Sequence, residues 1–514
     1  MEIQQILAIN IMAITALTLG GALLQGAWRD NVLWVAVNGL VVLAGAVMLQ
    51  WAPGIAGTVV TVLFVPLIVA PLVLARMTQS RIHQRRMDAA ARLARIGAWV
   101  HPTPAMRLNA DMLAAQAPDT LGEQMAALGR LAQRTDGRER ALITVTMLRL
   151  EGKWEQVLSL LEQHHELDTA MGGIAVRALG ETGRLDQMTR AYDDAKAHLH
   201  GADLYTAQLF MLAFAGRPLE VRRLLDGPLA GLDTDTMRYW IAVADRASGG
   251  DPALWRPVLE QLGAHAATPS TRLAAGRMLG NAGQSVEPAR LDDLSCVIIE
   301  DCAARLQRTQ SAAGQGGSRT LVTWCLLAGI AAGYALSEWR GGSSSLRVLV
   351  DTGALWAPYV MQRGEWWRLV TALFLHWGPL HAGINALMLV MLGRLCERAF
   401  GSLRMALIYG VGGIASTGFV LWLTMSQRDP PVLVGASGAI MALFGAIAGR
   451  SMLNWLRYRD VLDGRNLMML LLIVVVQVAA DIATPQVSLA AHASGFITGL
   501  IVAVLIGLMP RRAA

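Results

Sequence analysis

Long apolar runs are the feature that most constrains the fold of this 514-residue chain. Its hydrophobic fraction is 54% and its mean hydropathy is +0.42, too apolar for a chain that is soluble throughout. Runs of about 20 apolar residues span a bilayer as helices, which satisfy their own backbone hydrogen bonds. We therefore predict an all-α, polytopic membrane protein. Three runs lie near the N-terminus and six near the C-terminus: Ile6–Leu24, Val32–Trp51, Ile55–Leu74, Leu321–Leu336, Gly378–Leu395, Leu403–Thr424, Ser437–Leu453, Leu467–Ile482 and Leu489–Leu508.

A polar region separates the two apolar blocks and divides the chain into three predicted domains. These are about three transmembrane helices in residues 1–78, a helical polar domain in 79–312 and a six-helix membrane domain in 313–514. For the first block, two spans with one re-entrant segment are the alternative. Several arginines follow the third apolar run, and the positive-inside rule therefore places the polar domain in the cytoplasm.

Charge and cysteine content exclude several classes of function. The net charge of +6 comes mostly from arginines scattered over membrane-flanking loops, which gives no support for nucleic-acid binding. The four cysteines form no CxxC pattern, so neither a disulfide framework nor a zinc site is indicated, and we expect no metal or organic cofactor. The arginine-rich, lysine-poor composition favours a bacterial inner membrane as the location.

The polar domain contains a repeated pattern in which a glycine follows an apolar segment. The repeated glycines are Gly152, Gly183, Gly216, Gly250 and Gly283, at intervals of 31, 33, 34 and 33 residues. A period near 34 with a glycine turn between two helices resembles the tetratricopeptide repeat, although most of the fuller consensus is missing. The pattern predicts an α-solenoid of helical hairpins. Such a domain presents a concave surface to a protein or peptide partner; a helical spacer without a partner is the alternative.

A serine between glycines and a histidine lie at similar predicted depth in the C-terminal block. Ser437 stands in Gly435-Ala436-Ser437-Gly438 and His492 in the last apolar run. Ionisable residues inside a bilayer are costly and indicate function, and a neutral imidazole is the usual base for a serine nucleophile. Gly435 and Gly438 allow close backbone approach, and Gly495 with Gly499 forms a small-xxx-small pattern that packs helices tightly. Asp481 is the nearest carboxylate in sequence, but nothing in the sequence places it against His492.

A second polar pair supports the same chemistry. His381 and Asn385 are four residues apart and therefore share one face of a helix. Donors on one face at membrane depth suit an oxyanion hole completed by the Ser437 backbone N–H. A lone intramembrane Asn or His more often forms a helix–helix hydrogen bond, which is the alternative for each residue taken alone.

Together these motifs resemble the rhomboid intramembrane serine proteases over about Leu321–Leu508. The order is Trp367-Arg368, then HxxxN at His381 and Asn385, then GxSG at Gly435–Gly438, then AHxxGxxxG from Ala491. The resemblance implies Ser437 as nucleophile, His492 as base, and His381 and Asn385 as oxyanion support. It also matches His376 to the upstream histidine of the family and Glu397 to the ExxxG that closes the second helix. Met441 departs from the family, which commonly has an aromatic residue there.

The resemblance implies an endopeptidase that cleaves membrane-protein substrates in or near a transmembrane helix, within the lipid bilayer. The repeat domain would then select substrates or bind a protein partner. The alternative is a weak or inactive rhomboid-like adaptor that recruits partners through its repeats. Degenerate rhomboids typically lose the serine or the histidine, whereas this chain keeps both.

Overall fold

The computed structural model describes residues 3–24, 32–84, 86–164, 168–199, 201–280, 291–313, 320–458, 461–483 and 488–508. Regular structure within these ranges is helical, apart from one isolated bridge between Leu355 and Leu433. The chain divides into two compact units, residues 21–308 and residues 1–20 with 309–514. The all-helical architecture agrees with the predicted all-α class.

Seven helices in the described part of the chain are long and apolar enough to cross a membrane. This supports an integral, multi-pass membrane protein. Two shorter apolar helices, Leu7–Gly20 and Asn466–Ile482, coincide with the first and eighth predicted runs. The seven are Val32–Trp51, Pro53–Ile82, Leu321–Trp339, Gly378–Phe400, Ser402–Thr424, Ser437–Arg457 and Leu489–Gly507.

The N-terminal helices contain one irregular segment. They are α1 (Ile3–Leu24), α2 (Val32–Trp51), α3 (Ala56–Phe64) and α4 (Ala70–His83). A π-helical turn at Val65–Val69 joins α3 to α4 and contains Pro66. Proline removes a backbone donor and clashes with the preceding turn, and the wider turn accommodates it without ending the helix.

The polar domain consists of short helices connected by tight turns. Helix α10 contacts α9, α11 and α12, and contacts in this region run mostly between neighbours along the chain. The helices are α5 (Met87–Val100), α6 (Pro104–Ala115), α7 (Leu121–Ala132), α8 (Gly137–Glu151), α9 (Trp154–Gln163), α10 (Asp168–Glu181), α11 (Leu185–Ala195), α12 (Gly201–Phe214), α13 (Pro218–Asp226), α14 (Thr234–Ala247), α15 (Pro252–His265), α16 (Pro269–Gly280) and α17 (Asp293–Ala313).

Left-handed glycines lie at four of the turns between these helices. Gly152, Gly183 and Gly216 have φ values of 70°, 76° and 67°, a conformation that glycine adopts without steric cost. At the fourth turn the left-handed residue is Gly249, with φ 74°, rather than the Gly250 named from the spacing. The fifth repeat glycine, Gly283, lies outside the described residues.

The C-terminal unit is built around one closely packed helix pair, α25 and α27. Its core includes Ile408, Tyr409, Ala439 and Leu443, all buried. Its helices are α18 (Leu321–Trp339), α19 (Leu346–Thr352), α20 (Ala357–Arg363), α21 (Arg368–Thr371), α22 (Gly378–Met388), α23 (Arg394–Phe400), α24 (Ser402–Thr424), α25 (Ser437–Tyr458), α26 (Val461–Ala483) and α27 (Leu489–Leu508).

Glu397 connects the starts of two of these helices. Its fully buried carboxylate accepts hydrogen bonds from the backbone N–H groups of Val322 (2.9 Å) and Thr323 (3.0 Å), at the start of α18. It also accepts bonds from the Thr323 hydroxyl (2.7 Å) and from the Ser402 hydroxyl (2.7 Å), at the start of α24. A carboxylate at a helix N-terminus accepts hydrogen bonds from the free N–H groups there and interacts favourably with the positive end of the helix dipole. The sequence motif at Glu397 therefore has a structural role as a shared helix cap.

Candidate active site

Ser437 is the first residue of α25 and follows an anchored loop. The loop is held by paired backbone bonds between Leu355 and Leu433, 3.0 and 2.9 Å long, and by the Gly435 N–H, which donates to Ala372 O at 2.9 Å. Gly435 has φ 123°, a conformation open to glycine and strained for other residues. Ser437 is thus half-buried at a helix N-terminus, where free backbone N–H groups can stabilise negative charge.

Glycines bring α27 directly onto α25. A Cβ atom added at Gly495 would lie 2.1 Å from the Gly438 carbonyl oxygen, and one added at Gly499 would lie 1.9 Å from Ala442 O. Such separations leave no room for a side chain, so the two backbones are in contact. Gly438 is one residue from Ser437, and Gly495 is less than one helical turn from His492. The structure therefore places the two candidate catalytic residues on contacting segments.

Ser416 on α24 holds the same two segments. Its hydroxyl donates a 2.9 Å hydrogen bond to Ala491 O, next to His492. A Cβ added at Gly438 would lie 2.0 Å from that hydroxyl oxygen, so Gly438 is also needed for the contact with α24. The Phe444 and Phe496 rings, 5.9 Å apart, join α25 to α27 further along the pair. Ser416 could not be predicted from the sequence, because a single serine in an apolar helix forms no distinctive pattern.

His492 is buried, with 7% of its surface exposed, and its partner is a carboxylate. The imidazole Nδ1 lies 2.7 Å from Asp481 Oδ2. Ser437 and His492 are both described, and no hydrogen bond between them is present. The sequence identified Asp481 as the nearest carboxylate but gave no contact; the structure supplies it.

His381 lies beside the serine. A Cβ added at Gly435 would lie 2.9 Å from His381 Cε1, 3.0 Å from its Nε2 and 3.9 Å from Ser437 Oγ. The ring of His381 and the Ser437 hydroxyl therefore flank the same glycine. Asn385 is buried, and its Nδ2 donates to the backbone oxygen of His381 at 2.9 Å, so one of its two N–H groups is used within its own helix.

His376 supports the loop before the serine. It is fully buried, and its Nε2 accepts a 3.3 Å hydrogen bond from the Ala436 backbone N–H. Burial, with a contribution from His381, lowers the pKa of His376 to about 3, which keeps the ring neutral. With Nε2 as acceptor, Nδ1 carries the proton and faces Phe374 O at 3.3 Å.

Arg368 organises the loop that contains Trp367. The buried guanidinium pairs with Glu365 (Nε to Oε2, 2.6 Å), and its Nη1 donates to Val350 O (2.6 Å) and to Ala354 O (2.8 Å). It also lies 4.7 Å from the ring of Trp367, which is half exposed. Arg368 thus has a structural role in this loop, whereas exposed aromatic residues such as Trp367 favour the membrane interface.

Comparison with known proteins identifies relatives of the C-terminal part of the chain. Residues 363–508 match the rhomboid domain. The chain is 35% identical over 167 residues to RHOMBOID-like protein 5 of Arabidopsis thaliana, covering 32% of this chain and 52% of that protein. It is 32% identical over 225 residues to the rhomboid protease GluP of Bacillus subtilis, covering 44% of this chain and 42% of that protein.

A third relative, the mitochondrial RHOMBOID-like protein 6 of Arabidopsis thaliana, is 34% identical over 171 residues, covering 33% of this chain and 53% of that protein. The chain thus spans about half the length of these curated relatives. No solved structure gives a significant match. The domain match and the relatives together support the rhomboid family for the C-terminal part of this chain.

Proposed function

We propose that this protein is an intramembrane serine endopeptidase that cleaves membrane proteins in or near a transmembrane helix. The observation that carries the proposal is the glycine contact between α25 and α27, because it puts Ser437 and His492 on contacting segments. The rhomboid domain match and the name of the related protease GluP support the same activity.

In the proposed reaction, His492 takes the proton from Ser437 Oγ as the hydroxyl attacks the scissile carbonyl. The oxyanion is stabilised by N–H groups at the start of α25, by His381 and by the second N–H of Asn385. His492 then donates its proton to the leaving amine, which leaves an acyl-enzyme on Ser437. Water hydrolyses this ester, with His492 again acting as the base.

A cleavage assay tests the proposal. Wild type and Ser437→Ala are purified in detergent and incubated with a fluorescent substrate that has one transmembrane helix with small residues near its outer end. We expect cleavage by wild type only. Equal cleavage by both proteins would contradict the role of Ser437.

We also propose that the repeat domain faces the cytoplasm of a bacterial cell and selects or regulates substrates. The arginines after the third apolar run support this orientation. The second candidate function is an adaptor, favoured by the chain of neighbouring helix contacts from α9 to α16. Deletion of residues 97–312 separates the two: intact cleavage with loss of partner capture would support recruitment, and loss of cleavage would indicate a structural role.

A further inference from the structure

A buried carboxylate lies on the far side of the candidate base. Asp481, near the end of α26, and His492, in the first turn of α27, are eleven residues apart, and the separation between Oδ2 and Nδ1 is 2.7 Å. The side chain of Asp481 is 2% exposed and that of His492 is 9% exposed. A carboxylate that is buried away from solvent destabilises the fold unless its oxygens are hydrogen-bonded. Its position therefore depends on its partners.

Both oxygens of Asp481 have a partner. Gln477, one helical turn earlier on α26, donates from Nε2 to Oδ1 at 2.8 Å, while Oδ2 faces His492. The amide fixes the rotation of the carboxylate, so that one oxygen points at the imidazole. The contact between Asp481 and His492 differs from an ion pair on the protein surface. A surface pair is screened by water and lacks a further hydrogen bond such as the one from Gln477.

The contact decides which ring nitrogen of His492 can act. With a carboxylate at Nδ1, the neutral imidazole carries its proton there and leaves Nε2 as the acceptor. Nε2 is then the ring nitrogen that remains to accept a proton from a serine, and His492 lies on α27, which packs against the helix that begins at Ser437. Among the residues that the structure describes, His381 on α22 also interacts with His492. His381 carries no negative charge, so Asp481 is the anion that can stabilise an imidazolium here.

We propose that Asp481 is a positioning residue for His492, so that Ser437, His492 and Asp481 work as a triad. This rests on the proposed function. Asp481 accepts the hydrogen bond from Nδ1–H, orients the ring and lies beside the imidazolium that forms when Nε2 accepts the serine proton. No proton is transferred to the carboxylate. Gln477 supports the same arrangement from the next turn of α26.

The test compares full-length wild type, Asp481→Asn and Asp429→Asn, a matched change at an exposed loop aspartate of the same unit. With the single-span substrate in detergent, we expect Asp481→Asn to lower kcat by roughly 10²-fold or more, with little change in KM. Asp429→Asn should match wild type. Unchanged kcat in Asp481→Asn, or a loss of activity that appears mainly as a rise in KM, would overturn the proposal.

A spectroscopic measurement of the His492 tautomer tests the positioning role without depending on substrate cleavage. The protein is labelled with ¹⁵N-histidine, and Ser437→Ala is compared with the same variant from which His492 has also been removed. The signals that disappear belong to the ring nitrogens of His492. We expect one Nδ1–H tautomer when Asp481 is present and a mixed or reversed population in Asp481→Asn. Failure of wild type to cleave would refute the proposed protease while the spectra still decide the positioning role. Identical tautomer populations would overturn that role.

Discussion

Gly495 lies so close to the carbonyl oxygen of Gly438 that a Cβ at position 495 would be 2.1 Å from it. The atom in the way belongs to the backbone, which cannot rotate aside as a side chain can. Tight packing of α27 on α25 and the relative position of the Ser437 and His492 segments thus depend on the same glycines.

We expect Gly495→Ala and Gly499→Ala to destabilise the C-terminal unit by about 2 kcal/mol or more and to abolish cleavage, because overpacking must separate the helices. Gly418→Ala in α24 is the matched control, since no atom lies within 4 Å of its added Cβ. The free energy of unfolding is measured by SDS titration in mixed micelles. Equal stability of all three variants would contradict the contact.

Replacement of Glu397 tests the shared helix cap. In Glu397→Ala four donors lose their acceptor, so we expect a loss of roughly 3 kcal/mol in the free energy of unfolding. Glu397→Gln keeps one side-chain oxygen and should lose less. Arg398→Ala, at an exposed neighbouring position, should match wild type in the same SDS titration. A neutral effect of Glu397→Ala would show that the cap is dispensable.

His376 is expected to affect the rate through the backbone before Ser437. In His376→Ala the Ala436 N–H loses its acceptor, and the loop can move away from the geometry needed for attack. We expect kcat to fall by about tenfold or more, with thermal stability changed much less. A variant with normal kcat would show that the loop is held by its other backbone bonds alone.

Two cysteines on α17 provide an internal comparison of reactivity. Cys302 is buried, and burial raises the pKa of its thiol from 9.0 to about 12, whereas Cys296 is exposed. Because the thiolate is the reactive form, iodoacetamide at pH 8 should modify Cys296 and spare Cys302. Peptide mass spectrometry checks this in the folded protein. Equal modification of both cysteines would contradict the packing of α17.

The same thiol makes stability depend on pH. The unfolded chain releases the Cys302 proton near pH 9.0, whereas the folded protein holds it until about pH 12. The contribution is therefore complete below pH 9.0 and is lost as the pH rises toward 12. We expect the Tm of wild type to fall more steeply between pH 9 and 11 than that of Cys302→Ala. Parallel curves would show that the thiol is not buried.

Sequence patterns predicted the apolar helices and the close helix packing at Gly495 and Gly499, because membrane spans and glycine contacts leave local signatures. The repeat spacing placed the first three left-handed glycines but was one residue off at Gly249, since either glycine of the pair fits the pattern. The contact of Asp481 with His492 could not be predicted from the sequence. Which face of α26 turns toward α27 is set by tertiary packing, and a single aspartate in an apolar helix does not specify it.

The bonds of Arg368 show a second limit. Its Trp-Arg motif was recognised, but two of its partners are the backbone oxygens of Val350 and Ala354. Every residue has a carbonyl group, so no sequence pattern marks these acceptors. Only the fold of the loop brings them to the guanidinium.

The most direct test of the central claim is covalent labelling of the serine. The full-length protein is treated with a fluorophosphonate probe, and the modified residue is identified by mass spectrometry in wild type, His492→Ala and Ser159→Ala, a control change of a serine in the polar domain. We expect an adduct on Ser437 in wild type and in Ser159→Ala, and its loss in His492→Ala. Absence of the Ser437 adduct from wild type, or equal labelling in His492→Ala, would contradict a serine activated by His492.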